Sequence, residues 1–323
     1  MPLEIEPSNA PSPSRAAPDP SAPGSPIVIG LVNNMPDAAL RSTENQFAGL
    51  LEAASAGQSV RLRLTSLPEL SRSEEAREHM RRSYWPLETL LAAPLDALIV
   101  TGTEPRAPVL TDEPYWQSLV ELLTFAQRHT VASVWSCLAA HAAVLSLDGI
   151  ERQRLAEKRC GVYEHRILSG HALLEGVKAP LPMPHSRWNE VSPAALRAAG
   201  YTLLSVSEET GADSFVREEQ SLLLFFQGHP EYEDTTLLKE YRRDVGRYLS
   251  GQQSHYPTLA VGYFPDASAA ALLAFREQAM RERRPGLLER FPFAAAAAAL
   301  ESRWRPAAVS IYRNWLSFIV RRK

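Results

Sequence analysis

From residue 26 onward, short apolar runs alternate with longer stretches in which apolar positions recur every three or four residues. Residues 27–32 are apolar and rich in branched side chains, and 95–100 and 130–135 are mostly so, the pattern of strands buried on both faces. Residues 60–67 alternate as a further strand. Between them, residues 38–54 and 115–129 fit helices, and a helix over 138–145 follows the strand at 130–135. Strand and helix alternating at this pitch predict an α/β fold with a parallel sheet and flanking helices. Later segments are less regular. Residues 202–206 and 214–226 read as paired strands, and 236–250 as a helix with Lys239, Arg242 and Arg243 on its polar face. Residues 266–284 read as an amphipathic helix with Leu272, Phe275 and Ala279 at helical spacing, stopped by Pro285-Gly286. Residues 294–299 are strongly helix-forming, and 304–320 supply aromatic and apolar groups to dock on the core.

In a parallel α/β sheet the site lies beyond the C-terminal ends of the strands. Asn34, Gly102, Cys137 and His229 each fall just past a predicted strand, which places them on one edge. Residues 1–25 are rich in Pro, Ser and Ala, with almost no large apolar groups, and are expected to be disordered. They lack the apolar centre of a signal peptide, and Glu4, Glu6 and Asp19 argue against a transit peptide. The expected organisation is this tail, then a single domain over 26–323.

Composition narrows the function classes. The net charge of -3 over 323 residues gives no basic field for nucleic acid. No apolar run reaches the ~20 residues that span a bilayer. Two cysteines, Cys137 and Cys160, make no disulfide framework, point to a reducing, cytoplasmic setting and lack zinc spacing, so no metal is expected.

Cys137 sits at a strand-to-helix turn, Ser136-Cys137-Leu138. It reads either as a packed thiol or as a nucleophile whose thiolate and oxyanion are favoured by the helix N-terminus. The glycines usual in a nucleophile elbow are absent; Ser136, Ala139 and Ala140 are small. His229, in Gly228-His229-Pro230-Glu231, reads either as a core or turn histidine or as a base oriented by Glu231. Asn33, Asn34 and the 43–46 segment suit turns and caps as well as they suit a site. Cys160 reads as a packing residue. The arginines at 281, 283 and 284 read as a solvated helix end, with phosphate docking the weaker alternative.

With these residues in view, the chain resembles the homoserine O-acyltransferases (succinyl- and acetyltransferases) of methionine biosynthesis. Its anchors are Asn34-Met35-Pro36, Thr43-Glu44-Asn45-Gln46-Phe47, Thr101-Gly102, Tyr115-Trp116, Glu157-Lys158, Gly161-Val162-Tyr163-Glu164-His165, Pro184-His185-Ser186-Arg187, Gly228-His229-Pro230-Glu231-Tyr232, Arg243-Asp244 and Asn314-Trp315-Leu316. The resemblance runs from about residue 27 to 263 and resumes near 304, which marks 266–300 as a helical insertion. It implies a flavodoxin-like, class I glutamine-amidotransferase-like fold and an acyl-CoA-dependent, ping-pong O-acyltransferase, with acyl-CoA and L-homoserine as substrates, no further cofactor and a homodimer. It implies Cys137 as acyl-thioester nucleophile, His229 as base, Glu231 as its partner, and Lys158, Ser186 and Arg243 as substrate-binding residues. Leu138 and Gly102 would flank the oxyanion. In the family, Gly after Thr-Gly accompanies succinyl transfer and Glu accompanies acetyl transfer. Arg106 stands at that position, and a guanidinium suits a succinyl carboxylate, so O-succinyl transfer is favoured over O-acetyl. The altered loop, the insertion and the N-terminal extension leave three alternatives open: another hydroxy amino acid such as serine as acceptor, glutamine amidotransfer, or a non-catalytic relative.

Overall fold

The computed structural model describes residues 3–8, 25–168 and 170–323. Among them are ten strands: β1 (Leu3–Ile5), β2 (Ile27–Val32), β3 (Val60–Thr65), β4 (Ala97–Val100), β5 (Ala132–Ser136), β6 (Gln153–Ile167), β7 (Leu181–Glu190), β8 (Thr202–Ser207), β9 (Gly211–Glu218) and β10 (Leu222–Phe226). They form one sheet in the order β1-β3-β2-β4-β5-β10-β9-β8-β6-β7. The half from β1 to β10 is parallel, and the half from β10 to β7 is antiparallel. The central strands β4, β5 and β10 are buried at every position, as expected of strands covered on both faces.

The principal helices are α1 (Asp37–Ala54), α2 (Glu74–Ser83), α3 (Leu87–Ala92), α4 (Trp116–His129), α5 (Leu138–Asp148), α6 (Pro193–Ala198), α7 (Thr236–Leu249), α8 (Asp266–Arg281), α9 (Phe293–Ala297) and α10 (Arg305–Arg322). On one face of the sheet, Phe47 and Leu50 of α1 pack with Ile311 and Trp315 of α10. On the other, Leu119 and Leu122 of α4 pack with Ala139 and Ala143 of α5. A third core joins Leu238 and Tyr241 of α7 to Leu272 and Phe275 of α8 and to Trp304. The indole N–H of Trp304 donates to the Tyr232 carbonyl at 2.9 Å, tying this layer to the loop after β10. No described helix is long and apolar enough to cross a membrane.

The structure corrects three expectations. First, residues 3–5 are not disordered. β1 pairs in parallel with β3, Leu3 opposite Val60, and the amide of Glu6 donates to the Leu62 carbonyl at 2.9 Å. The Glu6 carboxylate meets Arg63 at 3.1 Å, and the guanidinium lies 4.7 Å over the Trp85 ring. The expected disorder of residues 9–24 lies outside the described residues. Second, 214–226 is not one strand: β9 and β10 are joined by a tight connection at 219–221. Third, β6 and β7, an antiparallel pair opposite the parallel half, were not expected, nor were α2 and α3. Helix α8 ends at Arg281, and the Arg283 guanidinium beyond it lies 4.3 Å over Tyr248 and donates to the Tyr248 carbonyl at 2.8 Å, so that arginine is a packing element.

The Glu6–Arg63 contact yields a direct test. Glu6→Ala leaves a nearly buried guanidinium without its carboxylate and should cost about 1–2 kcal/mol, read from urea unfolding midpoints. An unchanged midpoint would mean that β1 rests on the sheet without supporting it.

Candidate active site

Strands β2, β4, β5 and β10 run in one direction, so their C-terminal ends open on one edge. Cys137 follows β5 there and caps the N-terminus of α5. Its backbone has φ 53° and ψ -115°, a conformation that costs a non-glycine residue about 1–3 kcal/mol. The Cys137 N–H donates to the Phe226 carbonyl at 2.7 Å, and its carbonyl accepts from the His141 amide at 3.2 Å. The turn therefore lifts the thiol off the sheet and points the first N–H groups of α5 toward it. Gly102, past the end of β4, comes so close that a Cβ there would lie 3.0 Å from the Leu138 nitrogen. A side chain there would have to push the start of α5 back by a few tenths of an ångström.

His229, past the end of β10, is buried. Its Nδ1 lies 2.8 Å from Glu231 Oε1, and Cys137 is near enough to act on its charge. Burial opposes a charged imidazole, but the hydrogen-bonded Glu231 carboxylate and Cys137 outweigh it and hold the pKa well above the usual histidine value. Glu231 Oε2 is buried without a partner. The ring of Tyr232 stacks on His229 with centroids 4.2 Å apart.

The three expected substrate-binding residues converge through two acids that sequence reasoning missed. Tyr232 donates to Glu240 Oε1 at 2.6 Å, and Ser186 donates to the other oxygen of the same carboxylate. Lys158 Nζ lies 2.9 Å from Asp244 Oδ2 and 3.7 Å from Glu240. Nε and Nη2 of Arg243 both reach Asp244 Oδ1 at 2.9 Å. Burial works against the charge on Lys158, yet Glu240 and Asp244 raise its pKa. Arg243 followed by Asp244 was the available signal for one acid; Glu240 stands three residues before Arg243, on the same helical face. Cys160, on β6, has its thiol pKa pushed up to about 11 by burial, consistent with packing.

Arg106 lies elsewhere. It is exposed, its Nη1 sits 3.4 Å from Ser71 Oγ, and its amide donates to Glu113 Oε1 at 2.5 Å. Asn33 and Asn34 are structural. The Asn34 amide donates to Thr101 Oγ1 at 2.8 Å and its side-chain oxygen accepts from Leu67 at 3.1 Å, pinning the loops after β2, β3 and β4 together.

Behind His229 lies a buried cluster of His165, His185 and Asp213, close enough in geometry to hold a cation. Proton bookkeeping argues against one. His165 Nδ1 faces the Tyr163 carbonyl at 3.0 Å and must donate, leaving Nε2 to accept from Thr210 at 2.8 Å. Arg187 Nε donates to His185 Nδ1 at 3.2 Å, so the His185 proton sits on Nε2, where a metal would need the lone pair. That proton faces His165 Nε2 at 3.3 Å and Asp213 Oδ1 at 3.5 Å. Burial, reinforced by Arg187, holds the His185 pKa well below its ordinary value, so the ring is neutral. Asp213 in turn receives the Gly228 amide at 3.1 Å, and its own carbonyl receives the Gln227 amide at 2.8 Å. The cluster fastens the turn that presents His229.

Comparisons with known proteins fit this geometry. The profile of the homoserine O-succinyltransferase family covers residues 14–323. A homoserine O-succinyltransferase of Rhodopseudomonas palustris is 45% identical over 93% of this chain and 90% of its own length. The chain belongs to the homoserine O-succinyltransferase family. Relatives with the same description from Methylorubrum extorquens (45% identical, over 90% of this chain and 86% of the relative) and Bradyrhizobium japonicum (43%, over 91% and 90%) agree. The fold extends further. A solved glutamine amidotransferase from Methylobacillus flagellatus aligns with TM-score 0.52 over 91% of this chain and 94% of its own, at 15% identity. The α/β, amidotransferase-like fold is therefore present in a member of the homoserine O-succinyltransferase family.

Two tests follow from the His229 environment. A raised folded-state pKa gives stability that is complete below about pH 6.5 and is lost as pH rises through the folded value. Glu231→Gln removes the carboxylate behind that shift. The stability gap between wild type and variant should thus shrink from pH 6 to 9 in urea titrations, and a gap that widens would contradict the assignment. Gly228→Ala would set a Cβ 2.6 Å from Asp213 Oδ1 and 2.7 Å from Met183 Cγ. It should lower stability by about 1–3 kcal/mol, measured by thermal unfolding.

Proposed function

We propose that this chain is a homoserine O-succinyltransferase that works through an acyl-cysteine. The observation that carries the mechanism is the Cys137–His229–Glu231 arrangement at the strand edge of a chain in this family. Cys137 gives its thiol proton to His229, and its sulfur attacks the thioester carbon of succinyl-CoA. The tetrahedral oxyanion lies against the Leu138 and Gly102 N–H groups, neither of which has an acceptor among the described residues. The intermediate collapses, and CoA leaves with the proton returned by His229. The neutral imidazole then takes the hydroxyl proton of L-homoserine, whose oxygen attacks the acyl-cysteine and releases O-succinylhomoserine. Glu231 holds the imidazole by Nδ1, leaving Nε2 for both proton transfers.

Lys158, Ser186 and Arg243 hold the amino acid in this reading. Arg243 suits the carboxylate, and the Glu240 carboxylate provides an anionic wall for the ammonium group. Arg106, on the loop that carries Gly102, is a candidate for influence on donor choice. The cycle routes no step through a metal or resident cofactor; acyl-CoA enters as a substrate. We further assign a single catalytic domain over 26–323 with a helical insertion at 266–300, a homodimeric state and a cytoplasmic setting.

The decisive experiment measures CoA release from succinyl-CoA and acetyl-CoA, with and without L-homoserine, beside Cys137→Ala. The expected result is homoserine-dependent release favouring succinyl-CoA, lost entirely in the variant with its thermal unfolding unchanged. Activity retained by Cys137→Ala would overturn the mechanism. Release stimulated by L-serine and not by homoserine would overturn the acceptor.

A further inference from the structure

We propose that Arg152 and the Tyr115 hydroxyl form a subsite for the distal carboxylate of the acyl group, which makes this pair the reader of a dicarboxylic acyl donor. The inference deepens the acyltransferase reading and rests on it.

Arg152 lies between the end of α5 and the start of β6 and is half-buried. Burial depresses its pKa, and its charge acts on Tyr115, Glu113 and Cys137. Among the described residues its side chain makes no hydrogen bond or ion pair. A guanidinium has five N–H donors in a planar fork. Holding it partly out of water with none of them engaged costs free energy that an anionic ligand recovers. Tyr115 supplies the second feature. It is 3% exposed, yet its hydroxyl has no partner. Burial raises its pKa, so it remains a hydroxyl and a donor at neutral pH.

Glu113 shapes the subsite without filling it. Its Oε1 is occupied by the amides of Arg106 at 2.5 Å and Ala107 at 2.7 Å, which anchors the loop after Gly102, while its Oε2 is buried with no partner among the described residues. The charges that act on Tyr115 are this one carboxylate and the two guanidiniums of Arg152 and Arg106. The balance of one positive charge suits one carboxylate. In a four-carbon diacyl thioester the distal carboxylate lies only about 4 Å beyond the thioester carbon, close to the nucleophile on which the Arg152 charge acts. An acetyl group cannot use these donors, and a site whose buried polar groups stay unpaired discriminates strongly against the ligand that lacks the matching group. Arg106 is the less suitable cation because it is exposed and directed at Ser71.

The test compares kcat/KM for succinyl-CoA and acetyl-CoA, with L-homoserine, in the full-length wild type, Arg152→Gln, Arg152→Lys, Arg106→Gln and Tyr115→Phe. Arg152→Gln should lower the succinyl-CoA value by about 10- to 100-fold while leaving acetyl-CoA within about threefold. Arg152→Lys, which keeps the charge but not the fork, should fall between. Tyr115→Phe should shift the ratio in the same direction by a smaller factor. Should Arg152→Gln fail to fold, as judged by thermal unfolding, the donor ratio in Arg152→Lys carries the same reading. Equal losses with both donors, or a ratio shifted only by Arg106→Gln, would overturn the subsite while leaving the acyltransferase intact. A wild type acylated by neither donor would remove the parent reading and this one with it.

Discussion

The geometry of the site depends on one backbone constraint, the turn at Cys137. A cysteine held at φ 53° spends free energy that a glycine would not. The surroundings offset it: β5 is clamped between β4 and β10, the Cys137 amide is bonded to the last carbonyl of β10, and the first turns of α5 are fully enclosed. Because the sheet is parallel here, the clamp also sets what stands near the thiol. The end of β4 delivers Gly102, and the end of β10 delivers His229. A relaxed turn would move the sulfur and the Leu138 amide together, so the groups proposed as nucleophile and oxyanion donor are positioned by the same strain.

Charge is distributed unevenly about His229. Behind it, His185 is held as a neutral ring by burial and Arg187, and the Asp213 carboxylate accepts from the Gly228 amide and the Ser205 hydroxyl. In front, Glu231 supplies one buried carboxylate, and beyond Tyr232 stand Glu240 and Asp244 with Lys158 and Arg243. The Arg187 guanidinium also stands behind His229, bonded to His185, while the charged front suits the zwitterionic acceptor proposed above. The acyl side differs again, with Arg152 left unpaired and Glu113 committed to the loop.

Much of the parallel half was legible in the sequence because strands buried on both faces leave uninterrupted apolar runs, as at residues 97–100 and 222–226. Their common edge then followed from topology alone. The antiparallel half was not legible, for reasons visible in its residues. β6 carries Glu157, Lys158, Arg159, Glu164 and His165, and β7 carries Pro182 and Pro184, so neither alternates cleanly. The connection between β9 and β10 lacks the glycine or Asn-Gly signal of a tight hairpin. The three-residue β1 is too short for any periodicity. Within the site, Cys137, His229 and Glu231 stood out because their chemistry is rare at such turns. Glu240, Asp213 and Arg152 did not, since an acid or an arginine in a polar stretch reads as solvated until its burial is seen.

The two halves of the sheet divide the work. The overall fold is shared with a glutamine amidotransferase at 15% identity, so this framework does not by itself select a reaction. The side chains proposed to surround the reacting atoms come from β6 and β7, with Lys158 and Ser186, from α7, with Glu240 and Arg243, and from the segment leading into β6, with Arg152. β6 and β7 break the hydrophobic pattern because they carry polar groups where a core strand carries apolar ones. Their poor legibility and their proposed role therefore have one physical origin: a strand that lines a charged pocket cannot also read as a strand that fills a core.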